Sequence, residues 1–488
     1  MEYNETQKDY KFKAELRWAD GNRLEVPCKL FLPVRLRDDL RLVLLLTNDS
    51  SWNALWEEGR GAFELSGDVG EPGSVRIVAN EVQIRSGMWR RHWNSELAEG
   101  HLLCYPRSLR IIRKSHKWDR LQGTFRLTRS ELIAPHVHPT CINKDGTIEW
   151  HRGKRFTFQL CREVMLTFDH EYRHTRKEGE ILMWPELVAK VDIDSPPASK
   201  SLEEDYIPLV DDLLLLVSLA EGRRCFCLQV EWTSNEESVH LFRLDRHAPL
   251  DKPVPPPDAL PISPEDFPSF LEIAFKTLCS SSQRGLIWNA LANVTFEGKQ
   301  TIGTNFARLF AALETLVLAF RKEHDLECVL EDATQRKEFK EYLKEKISEY
   351  EPLKGEKHKD KRAMIYENLE SLGRVSLKRA IEKFVEEFHV DLDDVWPIFD
   401  KKGRKSLYEL RNMLVHGDDL SALEEECISE ACISLRETTE RFLLTMLGWN
   451  YNRRLRAQRF LSRWGDWQRA RDALLASRAS RAAGESAE

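Results

Sequence analysis

The sequence predicts a multidomain chain, an antiparallel β-rich amino-terminal half built as a sandwich or barrel, followed by an α-helical bundle. Three observations carry this. Short apolar/polar alternations of period two recur through roughly the first 245 residues, the mark of strands with one buried face. Seven prolines lie between Pro249 and Pro264, among them Pro255, Pro256 and Pro257, and such a run sustains neither a helix nor a central strand. Beyond it, apolar residues recur at helical spacing. The expected boundaries are 1–247 for the β-rich domain, 248–265 for the linker, 266–449 for the bundle and 450–488 for a basic tail.

Taken in order, Phe12, Ala14, Leu16 and Trp18 alternate with Lys11, Lys13, Glu15 and Arg17. After an Asp20-Gly21 turn, Leu24, Val26, Cys28 and Leu30 alternate again, which predicts a hairpin. Further strands are expected at Leu40–Leu46, Ser74–Ile84, Gly123–Leu127, Arg155–Phe168 and Arg224–Trp232, with one helix at Leu202–Ala220. In the bundle, helices are expected at Phe267–Cys279, Arg284–Val294, Asn305–His324, Lys337–Tyr350, Lys361–Leu372, Ser376–Phe388, Lys405–His416 and Ser421–Leu447.

The chain has 488 residues, 42% hydrophobic and 31% charged, ordinary proportions for a globular protein with two or three cores. Its ten cysteines include no CxxC pair that would begin a zinc ribbon or redox site. Met1–Tyr10 carries no apolar core of a signal peptide, and the apolar run Leu213–Val217 is too short to span a bilayer, so a cytoplasmic protein without membrane attachment is expected. The net charge of −7 argues against a general nucleic-acid coat. The tail departs from that average: nine arginines lie from Arg453 to Arg481, among them Arg453, Arg454, Arg456, Arg459 and Arg463, with Trp464 and Trp467 interleaved among the nine. Guanidinium groups for phosphates and indoles for stacked bases make this a candidate RNA-binding surface; a solvated amphipathic helix is the alternative.

Chemistry concentrates near the end of the bundle. Arg411, Asn412 and His416 precede Gly417, with Leu407, Leu410 and Leu414 marking the apolar stripe of one helix. Arg411 is expected against that stripe, and Asn412 and His416, four residues apart, share a face on which the amide can orient the imidazole. Glu314 lies among Phe310, Ala311, Val317 and Leu318 in an earlier helix. A carboxylate and a guanidinium in such surroundings are expected to pair, as a buried tie or as part of a site.

Arg-Asn, three residues, His-Gly between two long helices resembles the signature of HEPN domains, helical bundles that are often metal-independent ribonucleases. The wider arrangement resembles the ApeA-type HEPN proteins of bacterial anti-phage defence. The resemblance implies an RNA substrate, transfer RNA among the candidates, a homodimer with a shared site, no cofactor, and growth arrest of an infected cell. On this expectation His416 is the general base or acid, Arg411 stabilises charge developing on phosphorus, Asn412 orients His416 or the phosphate, and Glu314 positions Arg411. The β-rich half would then read a phage-derived trigger. A HEPN module that binds RNA or protein without catalysis is the alternative.

Two metal patterns compete. His170, Glu171 and His174 spell HExxH, but the flanking residues alternate like strands and place the motif on an expected strand-to-strand loop rather than a zinc-protease helix. His136, His138 and Cys141 offer three ligands without an identified fourth. No phosphate-binding loop, dinucleotide fingerprint or nucleophile elbow is present in the sequence.

Overall fold

A computed structural model describes residues 9–33, 40–133, 139–244, 260–474 and 476, apart from 48, 54, 56–60, 71–73, 92–97, 116–119, 143–147, 151–155, 178–179, 195–200, 235–236, 299, 327, 331, 355, 373, 401–405, 416–421 and 451–467. The chain divides into two compact units between Val254 and Pro255, inside the proline-rich stretch.

The first unit opens with strands β1 (Asp9–Arg17), β2 (Arg23–Phe31) and β3 (Arg41–Leu46), a helical turn α1 (Asp49–Asn53), then β4 (Phe63–Val69), β5 (Val75–Arg91) and β6 (Ala98–Tyr105). These six strands close on themselves in the order β1-β2-β3-β6-β5-β4, every neighbouring pair antiparallel, and so form a barrel without a free edge. The expected hairpin is present: Arg17 faces Arg23, and Gly21 takes a left-handed φ of 88° in the turn. The alternating residues Phe12, Ala14, Leu16, Val26, Cys28 and Leu30 fill the barrel core with Leu42, Leu44, Leu65, Ile77 and Cys104. Gly67 stands opposite Ala14, and a Cβ there would strike the Lys13 carbonyl oxygen and the Phe12 ring, so the approach of β4 to β1 depends on that glycine.

β7 (Ser108–Lys114) follows, then β8 (Arg120–Leu127), β9 (Pro139–Ile142), β10 (Ile148–Trp150), β11 (Phe156–Cys161), β12 (Val164–Lys177), β13 (Glu180–Asp194), helix α2 (Ile207–Glu221), β14 (Cys227–Thr233) and β15 (Glu237–Arg243). β5 joins barrel and extension. Its first half pairs with β4 and β7 and its second half with β6, and between them Glu81 takes a left-handed φ of 48°. Arg107, in the β6–β7 turn, secures the corner by donating its N–H to the Asn80 carbonyl at 3.1 Å and pairing with Glu81 at 2.9 Å. From β7 the sheet continues β15-β14-β8-β13-β12-β11, while β9 and β10 form a separate ribbon.

Two segments of this unit differ from expectation. Arg155–Phe168 is a hairpin of β11 and β12 turning at Arg162 and Glu163, because two alternating runs joined by a two-residue turn share the signature of one strand. His170, Glu171 and His174 lie within β12, paired to β13, and not on a loop. α2 matches its expected helix closely and is buried almost all round; its mixture of aliphatic residues has no polar face to present to water.

The second unit contains α3 (Phe267–Ser280), α4 (Arg284–Val294), α5 (Ile302–Glu323), α6 (Ala333–Glu349), α7 (Lys359–Leu372), α8 (Leu377–Phe388), α9 (Leu407–Val415) and α10 (Ala422–Met446). Each of the eight expected helices is present, with ends displaced by a few residues. α5 is the central helix and packs against α4, α8, α9 and α10. At 22 residues it is long and apolar enough to cross a membrane, yet Phe306, Leu309, Phe310, Leu313, Leu316, Val317 and Phe320 are buried within the unit, as in a core helix. Phe320, Phe384, Phe388 and Phe442 stack at one end. Arg441, 2% exposed, is held by Asp394 at 2.6 and 2.9 Å, by Glu437 at 3.0 Å and by the Asp391 carbonyl at 2.6 Å. This cluster ties α10 to the α8–α9 connection. α6 contributes no buried residue.

Candidate functional site

α9 begins with a reciprocal cap, Glu409 accepting from the Ser406 N–H at 2.8 Å while the Ser406 hydroxyl accepts from the Glu409 N–H at 3.3 Å. The helix is fixed on α5 by Tyr408, whose ring lies 6.2 Å from that of Phe310, and by Leu407, Leu410 and Met413, all buried. Met413 takes the inward place expected of Leu414, which is only half-buried. That difference turns the buried stripe away from Arg411, which stands about 100° from its centre.

The consequence is a corrected electrostatic picture. Arg411 and Glu314 do meet, Nη2 to Oε1 at 3.9 Å, but their side chains are 35% and 38% exposed. They form a pair at the bundle margin, not the buried ion pair anticipated from Glu314's apolar neighbours; one of those neighbours, Ala311, is itself exposed. Arg411 Nη1 donates to Asn412 Oδ1 at 3.2 Å. Carboxylate, guanidinium and amide thus form a row with the guanidinium in the middle and partly open to solvent, able to accept an anionic oxygen. His416 and Gly417 lie outside the described residues, one and two places beyond the end of α9.

A second basic cluster sits on α5 and α10 and was not singled out from sequence. Arg308 donates through Nε to Gln300 Oε1 at 3.1 Å and through Nη2 to Asn305 Oδ1 at 2.5 Å, and its guanidinium lies 5.1 Å from the centre of the Phe296 ring. Nη1 is buried and has no hydrogen-bond acceptor among the described residues. Burial, together with repulsion from Arg436, pushes the Arg308 guanidinium down to about 10. Arg436 is paired with Glu440 at 2.9 Å. The neighbouring Cys432 thiol is pushed up to about 12 by burial and stays neutral. The one sequence signal was Asn305 three residues before Arg308 near a helix start, too common a spacing to select.

In the first unit, Glu171 is committed elsewhere than to a metal. It accepts from Lys190 at 2.6 Å and from Arg126 at 3.3 Å, and Arg126, 8% exposed, also engages Glu186 at 3.0 Å and Glu231 at 3.1 Å across adjacent strands. On a strand His170 and His174 are about 13 Å apart along the backbone at about 3.3 Å per residue, whereas a zinc site gathers donors within about 2 Å of one ion. His136 and His138 lie outside the described residues, and Cys141 falls on β9 with its side chain not described. Among the described residues no group of three metal-ligating side chains converges. The tail residues Arg453, Arg454, Arg456, Arg459, Arg463, Trp464 and Trp467 lie outside the described residues. No family model, no curated protein and no solved structure matches this chain.

Proposed function

We propose that the second unit is a metal-independent HEPN-type endoribonuclease, that the first unit reads a phage-derived trigger, and that the chain acts in the bacterial cytoplasm to arrest growth on infection. One observation carries the catalytic reading: Glu314, far away in sequence, meets Arg411 and its neighbour Asn412 at a partly open margin beside the helix end that leads to His416. A pair serving only stability gains little from standing half in water.

In the reaction His416 takes the proton of a ribose 2′-hydroxyl, whose oxygen attacks the adjacent phosphorus; the 5′-oxygen leaves, is protonated, and the products are a 2′,3′-cyclic phosphate and a free 5′-hydroxyl. Arg411 stabilises the negative charge that builds on the non-bridging oxygens. Glu314 and Asn412 hold the guanidinium in place, and the nucleophile is internal to the RNA. On a straight helix Arg411 and His416 diverge by about 140°, so a second copy across a two-fold axis supplies the missing half, and the working species is a homodimer.

The test is cleavage of cellular RNA, transfer RNA included, in EDTA. Wild-type protein is expected to leave cyclic phosphate ends, while His416→Ala and Arg411→Ala are inactive yet folded. Ends bearing 5′-phosphates, or dependence on a metal, would overturn the mechanism. RNA binding without cleavage would favour the non-catalytic module.

A further inference from the structure

We propose that Arg308 and Arg436 form a phosphodiester-binding site for the RNA strand, distinct from the Arg411 row and serving affinity rather than bond cleavage. The inference rests on the ribonuclease reading for its ligand, but its geometry stands independently.

A buried or half-buried guanidinium is ordinarily stabilised by a carboxylate. The contrast within this unit is direct: Arg441 has Asp394 and Glu437, and Arg411 has Glu314. Arg308 is held by two neutral amide oxygens and a phenyl face, and no described carboxylate pairs with it. The charge that acts on it most strongly is a second cation, Arg436, whose own charge is answered by Glu440. Cys432, beside them, carries no charge at neutral pH. Arg308 is thus a cation set beside a second cation with no described carboxylate of its own, oriented in advance by three neutral contacts. Such a fork is suited to an anion, whose arrival would relieve the repulsion between the two guanidinium groups. Neutral holding groups matter because a carboxylate there would repel phosphate.

Its position fits a strand already engaged at Arg411. Arg308 and Glu314 are six residues apart on α5, about 9 Å of helix rise. That rise, with a turn of about 120° around α5 between the two positions, is spanned by at least about three nucleotides at about 3.4 Å each. A Cβ placed on Gly303 would lie 3.6 Å from Leu414, so the end of α9 reaches the same end of α5 on which Arg308 stands.

The experiment measures binding of a single-stranded 2′-O-methyl RNA, which lacks the nucleophile and cannot be cleaved, to the full chain by fluorescence anisotropy across a salt series. Arg308→Gln and Arg436→Gln are each expected to weaken binding several-fold, and the double variant to flatten the slope of log K against log salt by about 0.7, the value for one phosphate no longer neutralised on a single strand. Arg308→Lys retains the charge and is expected to keep most of the slope; it carries the test with Arg436→Gln if the glutamine at 308 destabilises the fold. Unchanged affinity and slope in the double variant would overturn the site while leaving cleavage at Arg411 intact. Weakened binding by these variants, together with a wild-type protein that binds but cleaves nothing, would support the site and refute catalysis. A flattened slope matched by an equal fall in native circular dichroism would assign both arginines to structure alone.

Discussion

Glu314→Gln separates a positioning role from a structural one, because the exposure of its ion pair sets a low ceiling on stability. At 3.9 Å two unit charges attract by about 1 kcal/mol in water, and by about 4 kcal/mol at an effective dielectric of 20 before any desolvation is subtracted. With both side chains more than a third exposed, the water value applies, reduced further by the entropy of fixing two long side chains. The expected loss is below about 1 kcal/mol, a fall in Tm of at most about 4 °C for a unit of this size. Turnover is another matter. Without the carboxylate the guanidinium keeps only Asn412, and a displacement of about 1 Å at a reacting phosphate costs up to about 10²-fold in rate. Thermal unfolding followed by circular dichroism, set beside RNA cleavage at saturating substrate, reads both quantities. A stability loss of about 3 kcal/mol with a proportionate loss of activity would show a buried structural tie and refute this argument; unchanged turnover would remove Glu314 from the site.

Other expected outcomes follow from the same structure. Asp394→Ala leaves the buried Arg441 with one carboxylate and is expected to cost about 3 kcal/mol or more, seen as a large drop in the denaturant midpoint of the second unit. Gly67→Val drives a branched side chain into the β1 backbone and is expected to prevent barrel assembly, read as loss of near-ultraviolet ellipticity in the isolated first unit. The thiols of Cys104, Cys227 and Cys432 are pushed from 9.0 to about 12 by burial. Their folded values lie above the unfolded ones, so their contribution is complete below pH 9 and is lost as pH rises from 9 towards 12. A thiol reagent at pH 8 should modify the exposed Cys279 well before any of these three in native protein.

The bundle was legible because helical periodicity needs only local sequence: α4 matches its expected span of Arg284–Val294, and Ser376 caps α8 where that helix was expected to start. The barrel was legible only as strand content. Closure depends on β5 exchanging partners at Glu81 and on β3 reaching β6, pairings between segments far apart in the chain that no alternation pattern encodes. Strands β4, β6, β7, β9, β10, β13 and β15 lie outside the expected strands; β4 carries Gly67 and Asp68, and β13 carries Pro185 and charged residues, so the alternation of these two is broken. At the site, identity was legible and burial was not. A one-residue change in which apolar side chain points inward, Met413 for Leu414, decides whether Arg411 is enclosed or open.

That rotation links fold to function. An arginine locked beneath the stripe, as Arg441 is, has both its donors and its charge consumed by protein, and it can only hold helices together. An arginine at the margin keeps donors for a ligand at the cost of weaker pairing. The second unit contains both kinds on adjoining helices. The burial of Leu260 and Ile262, ahead of α3, gives the same logic a boundary: a fragment of the second unit is expected to need those residues to complete its core. A fragment beginning at Pro255 is therefore expected to unfold cooperatively, and one beginning at Glu265 to melt lower by at least about 6 °C, because removing two buried aliphatic side chains forfeits about 3 to 6 kcal/mol of apolar burial. Equal melting of the two fragments would place the boundary later and detach Leu260 and Ile262 from the bundle core.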